Sequence, residues 1–229
     1  MKGWVAFLGA LALVGGCSPA GPVVDVFLSA LGVLATFEFN GNARDSSGNG
    51  RDALLIGGEF VPTAWGQGLH VLPGGPTGID WSAFANLLVF PYTVEIVLTP
   101  QDTTDFRKLF SFDDTVDMGW YYYNEGISAY PEPEVGVGQV LAGERHYIAF
   151  VSTALDVVDI YFQGAFLGTS GATFTTPPPP PQVIFFRDDV VTDREEQLDA
   201  VVEALRISGV TRTPAEIAAV QQRLESPNP

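Results

Sequence analysis

The sequence predicts an all-β protein, a sandwich or a barrel, closed by one short helix at the C-terminus. Three observations carry this. Short runs of apolar, aromatic and β-branched residues recur along the chain, with clusters of Gly, Pro, Asn and Asp between them. Tyr92 to Leu98 alternates with period two, as a strand with one buried face does. Only near the end does the spacing become helical, behind a capping sequence. Many short strands separated by turns pack as a sandwich or a barrel.

The elements follow in order. Gly32 to Phe39 is rich in β formers and alternates toward its end. Tyr92 to Leu98 is the clearest strand. Further strands are predicted over Lys108–Phe112, Gly119–Tyr123, His146–Ser152, Val157–Phe162, Gln182–Phe186 and Ala204–Ile207. The proline run Pro177 to Pro181 reads as a polyproline II connection between two strands, with docking into an aromatic-lined groove as the other reading. Thr213-Pro-Ala-Glu216 has the form of a capping box with Pro at the first helical position. Ile217, Val220 and Leu224 then recur at helical spacing, so a short helix is expected to pack on the sandwich edge. No Gly/Ser-rich hinge divides the chain and no repeat is evident, so residues 31–229 form one expected domain.

Composition narrows the function. The formal charge is −16, and phosphate contacts want a basic surface, so a nucleic-acid partner is not expected. The acidity suits an exposed soluble surface, or carboxylates that hold a cation. One cysteine permits neither an internal disulfide nor a Cys-rich zinc site.

That cysteine has a specific place. Lys2 is followed by an apolar stretch from Trp4 to Val14. A bilayer-spanning helix needs about 20 apolar residues, so the stretch has instead the length of a signal-peptide hydrophobic region. Val14-Gly15-Gly16-Cys17 resembles a bacterial lipobox, in which the cysteine becomes the lipid-bearing first residue. The other reading is an ordinary cleaved signal with an incidental cysteine. The resemblance implies a signal peptide over 1–16, a lipidated N-terminus and tether over 17–30, and membrane attachment through the lipid on Cys17. Ser18 after the cysteine resembles the outer-membrane sorting pattern, which places the protein in the cell envelope, at the outer membrane where there is one.

Several blocks, in order, resemble a bacterial laminin G-like domain of the concanavalin A-like lectin/glucanase superfamily. Thr36 to Gly50 is similar to the opening strand and its Asp-x-Ser-Gly-Asn-Gly turn. Tyr92 to Pro100, Gly143 to Phe150 and Ile160 to Gly164 are similar to the next strands and a hairpin. Glu203 to Ser208, followed by the Thr-Pro-Ala-Glu helix, is similar to the closing strand. The resemblance implies a two-sheet antiparallel jelly-roll sandwich. The chain departs from the pattern at Arg145, which stands where Trp is usual, and at Glu203-Ala204, where an acidic pair is usual.

Laminin G-like domains often hold one calcium between an early loop and the closing strand. By matching positions the resemblance implies Asp45 and Glu203 as ligands, with Asp188 in a second acidic segment, Arg187–Asp189 and Glu195–Glu196, facing the same end. The alternative is a plain Asx-Gly turn and a solvated acidic loop.

Catalysis is not expected. Glucanases of the superfamily set two carboxylates across the scissile bond, about 5–5.5 Å apart in retaining enzymes. The Glu-x-Asp-x-x-Glu strand that would place them is absent, and Glu95 has no sequence neighbour on its own face to pair with. Asp113, Asp114 and Asp117 read as a turn. His146 reads as structural, and no Gly-x-Ser-x-Gly elbow accompanies His70 or His146.

Aromatic faces are the better candidates for binding a sugar. Trp65, Trp81 and Trp120 are available, as is the run Tyr121, Tyr122 and Tyr123. In a strand Trp120 and Tyr122 share one face and Tyr121 and Tyr123 the other, so one pair can be core and the other exposed; for any single aromatic the alternative is a core residue. The expected function is therefore non-catalytic recognition of a glycan or an extracellular protein. The alternatives are a structural, self-associating envelope module and a glycan-cleaving enzyme.

Overall fold

In the computed structural model, which describes residues 31–171 and 181–226, two antiparallel sheets pack face to face. The signal segment, Cys17 and its tether lie outside the described residues, as does the proline run except for Pro181. The strands in chain order are β1 (Val33–Phe37), β2 (Leu54–Gly57), β3 (Glu59–Thr63), β4 (Gly66–Val71), β5 (Gly78–Asp80), β6 (Thr93–Pro100), β7 (Arg107–Ser111), β8 (Gly119–Tyr123), β9 (Gly126–Tyr130), β10 (His146–Ala154), β11 (Val157–Phe162), β12 (Ala165–Ser170), β13 (Ile184–Phe185) and β14 (Ala200–Ser208). One α-helix, α1 (Pro214–Glu225), follows.

The eight-stranded sheet runs β12-β11-β10-β6-β14-β4-β3, with β1 also paired to β14. The six-stranded sheet runs β2-β5-β13-β7-β8-β9. Both sheets are open, so the architecture is a sandwich and not a closed barrel. The predicted strands are present, but the alternation rule missed the short or glycine-rich β2, β3, β4, β5, β9 and β12, which carry too little periodic signal to stand out. Hairpin turns do their work locally. Asn124 and Glu125 both have positive φ (51° and 56°), as a two-residue type I′ turn between β8 and β9 requires.

The inner faces of the two sheets meet in one apolar cluster that includes Phe37, Val94, Ile96, Leu98, Phe110, Trp120, Phe150 and Leu205. On β6, Val94, Ile96 and Leu98 point into it. Thr93, Glu95 and Val97 point to the other face, yet they too are buried. The cause is α1, which packs on the outer face of the eight-stranded sheet and not on the sandwich edge. Its Ile217 and Val220 form a second cluster with Val97, Tyr147, Ala149 and Ala204, flanked by Trp65 and Leu224. The helix starts where the sequence places it. The Thr213 side chain accepts from the Glu216 N–H, and Glu216 accepts from the Thr213 N–H, completing the capping box.

Under the helix sits a charge network. Glu95 lies directly across from Arg206 in the β6–β14 register. One Glu95 oxygen accepts from the Tyr147 hydroxyl at 2.6 Å, and the other accepts from Arg206 Nε at 2.6 Å, with Arg212 Nε 3.9 Å away. Glu95 has no second carboxylate on its strand face, and it is held by cations and a hydroxyl instead. Its partners come from neighbouring strands and from the segment leading into α1, not from its own strand.

Candidate functional site

The outer face of the six-stranded sheet carries the candidate site. A bulge at Leu109 between β7 and β8 sends Leu109 and Phe110 to the core, while Lys108 faces outward opposite Tyr121. On β8 the alternation resolves the aromatic run. Trp120 and Tyr122 enter the core and have no exposed surface. Trp120 packs against Phe150 at 4.8 Å between ring centroids, and the Tyr122 hydroxyl lies 3.0 Å from His146 Nδ1. Both are therefore removed as ligand-binding residues: the sheet's inward face is filled by the opposing sheet, and no sugar reaches it.

Tyr121 and Tyr123 face outward. Tyr121 is nevertheless fully covered. Phe106 meets its ring edge-on at 5.5 Å, Lys108 Nζ sits 4.8 Å from its centroid, and its hydroxyl donates to Asp117 Oδ1 at 3.2 Å. So Tyr121 is corrected too, from a contact residue to the floor of the face. Tyr123 stacks on Phe106 with centroids 3.9 Å apart and planes 8° from parallel, and Tyr130 meets the same ring edge-on at 5.6 Å. Phe106 and Tyr123 are half-buried, and Tyr130 is 38% exposed. Phe106 and Tyr130 were not singled out from sequence. Phe106 precedes its strand, and only tertiary packing seats it over β8.

Behind this platform Lys108 is completely buried between Asp188, at 3.2 Å, and Asp189. Asp188 also accepts from the Asp189 and Glu196 N–H groups and from the Thr192 hydroxyl, and Asp189 accepts from the N–H groups of Val191 and Thr192. This loop folds inward onto Lys108 rather than toward Asp45. Glu196 sits among these charges with one carboxylate oxygen, Oε2, buried and without a hydrogen-bond partner. Burial, and then the negative charges of Asp117, Asp188 and Asp189 against the single positive Lys108, push its carboxyl up to about 7.

The three carboxylates expected to hold calcium are each engaged by the protein itself. Asp45 accepts from the N–H groups of Thr36, Ser47 and Arg51. Burial raises its carboxyl, but these bonds outweigh that and hold it below the ordinary aspartate value. Glu203 is the extra residue of a bulge on β14 and pairs with Arg145, whose guanidinium lies 4.5 Å over the Trp65 ring. Asp188 is committed to Lys108. Among the described residues no group of three or more His, Cys, Asp or Glu is placed to hold a metal ion. Asp45 thus organises its turn, and the structure does not bring Glu203 or Asp188 to it.

His146 is buried, which pulls its pKa down to about 4 and keeps the imidazole neutral. His70 contacts Asp199 at 3.2 Å on the other side of the sheet array. A cleft of about 300 Å³ beside α1 is lined by Arg145, His146, Tyr147, Gln163, Gln221, Leu224 and Glu225. Gln163 in it is already committed, accepting from the Tyr147 N–H and donating to the Arg145 carbonyl.

No protein-family model matches the chain, and no curated protein matches it in sequence. Solved structures do match. Domain 4 of AbnA, a GH43 extracellular arabinanase from Geobacillus stearothermophilus, solved with arabinotriose, is similar over 83% of this chain and 98% of its own length (19% identity, TM-score 0.60). The Trypanosoma rangeli sialidase, solved with the inhibitor DANA, is similar over 93% of this chain (15% identity, TM-score 0.64), which spans only 36% of that enzyme. The binding domain of botulinum neurotoxin serotype D is similar over 83% of this chain and 51% of its own (12% identity, TM-score 0.58). The shared property is the two-sheet β-sandwich fold.

Proposed function

We propose that this protein is a lipid-anchored, non-catalytic recognition module of the cell envelope that binds a glycan on the outer face of its six-stranded sheet. One observation carries the reading: Phe106, Tyr123 and Tyr130 form a partly exposed aromatic platform on a rigid sheet, beside carboxylates able to accept hydroxyl hydrogen bonds. Aromatic rings match the apolar faces of sugars, and acceptor-only carboxylates match their hydroxyls. The similarity to an arabinanase domain solved with arabinotriose, nearly end to end, supports a glycan over an extracellular protein as the partner. The anchor is the lipid on Cys17.

The full-length protein on a glycan array tests this. A specific hit that is lost on Tyr123→Ala/Tyr130→Ala supports the reading, and release of shortened glycan would make the protein an enzyme instead. A blank array shifts the reading to a protein partner or a self-associating envelope module. The latter draws on Leu54, 68% exposed on the edge strand β2.

A further inference from the structure

We propose that the glycan taken by this aromatic face is uncharged, and that Asp117 and Glu196 exclude carboxylated sugars such as uronates and sialates. The inference rests on the recognition reading above and narrows it to a ligand class.

Recognition of a carboxylate calls for a guanidinium or ammonium free to make charge-assisted bonds. Each cation around the platform already bonds to the protein, three of the four to carboxylates. Arg107 spends Nε and one terminal nitrogen on Asp102, and the other terminal nitrogen on the Phe106 carbonyl. Lys108 has no accessible surface and is held by two aspartates. Arg187 pairs with Asp114, and Arg194 donates to the Asp188 carbonyl.

Acceptors, by contrast, are in excess. Asp117 is half-exposed and takes one bond from the Tyr121 hydroxyl, leaving lone pairs toward solvent. Glu196 adds negative charge rather than an acceptor, since its unpartnered Oε2 is buried out of a ligand's reach. Asp105, directly before Phe106, is exposed. A neutral sugar brings hydroxyl donors to these oxygens. A carboxylated sugar brings a like charge into a partly desolvated site, and specificity here works by repulsion of the wrong ligand.

The test uses the full-length protein at pH 8, above the value to which Glu196 is raised, so that both carboxylates are ionised. It is presented with matched pairs: neutral oligosaccharides of arabinose, xylose, glucose and galactose, and counterparts carrying glucuronate, galacturonate or sialate. The expected result is binding to a neutral member that exceeds its acidic counterpart about tenfold or more at low salt, with the ratio narrowing as salt screens the exposed charges. Asp117→Asn/Glu196→Gln should narrow the same ratio at low salt. An acidic glycan bound as tightly as its neutral counterpart overturns the inference and leaves the recognition reading standing. A ratio untouched by the double variant overturns the assignment to Asp117 and Glu196. No binding to either class overturns both readings together.

Discussion

Replacing Glu95 with Gln tests whether the charge network beneath α1 holds the helix to the sheet. Glu95 is fully buried, as are Arg206 and Arg212 to within a few per cent. At 3.9 Å the Arg212 interaction alone amounts to about 4 kcal/mol at an effective dielectric near 20. Desolvation of the three charges offsets much of such attraction, so the intact network adds little net stability. Removing one partner is different, because both guanidiniums stay buried without the Glu95 charge, Arg212 keeping Glu216 at 3.5 Å, and the cost is about 3–5 kcal/mol. For a domain of this size each kcal/mol lowers Tm by about 2–4 °C, so a loss of roughly 6–20 °C is expected. Urea unfolding at pH 7 and thermal melts followed by circular dichroism read it directly. The companion variant Glu95→Leu/Arg206→Met removes both principal partners and should recover a large part of the loss. A Glu95→Gln cost below about 1 kcal/mol, the range of an exposed pair, would refute the reasoning.

Further outcomes follow from the same geometry. Trp120→Ala should cost about 3–5 kcal/mol through the cavity it leaves between Phe110 and Phe150, whereas Tyr130→Ala should stay within about 0.5 kcal/mol; comparable melts for the two would contradict the division into core and surface. The proton that Glu196 keeps in the folded state between about 4.5 and about 7 is absent from the unfolded chain, so this group makes stability fall as pH rises through that window. Glu196→Gln removes that fall, and subtracting the variant's stability curve from the wild-type curve cancels the opposite contribution of His146, which adds stability as pH rises from about 4 to 6.5. A flat difference from pH 5 to 8 would count against the buried acidic environment. Melting in calcium and in EDTA should coincide, since a calcium at 100 times its Kd would add about 2.7 kcal/mol, several degrees here; a clear shift would restore a calcium site.

By itself the sequence determined the sandwich's central strands, the capped helix and the two-sided division of Trp120–Tyr123, because periodicity and capping are local signals written in consecutive residues. It also contained all three partners of Glu95, namely Tyr147, Arg206 and Arg212, without showing that they meet. Which face of β8 became core was decided only when the eight-stranded sheet closed over Trp120 and Tyr122. The same holds for the platform. Phe106 reaches Tyr121, Tyr123 and Tyr130 because the bulge at Leu109 and the β8–β9 hairpin bring separate segments to one surface. Carboxylates that looked like calcium ligands along the chain found nearer donors in three dimensions: backbone N–H groups for Asp45, Arg145 for Glu203 and Lys108 for Asp188. A sequence lists charges and donors but not their distances. Coulomb energy and hydrogen bonding depend on those distances, so pairing, burial and the shape of the binding face belong to the tertiary structure.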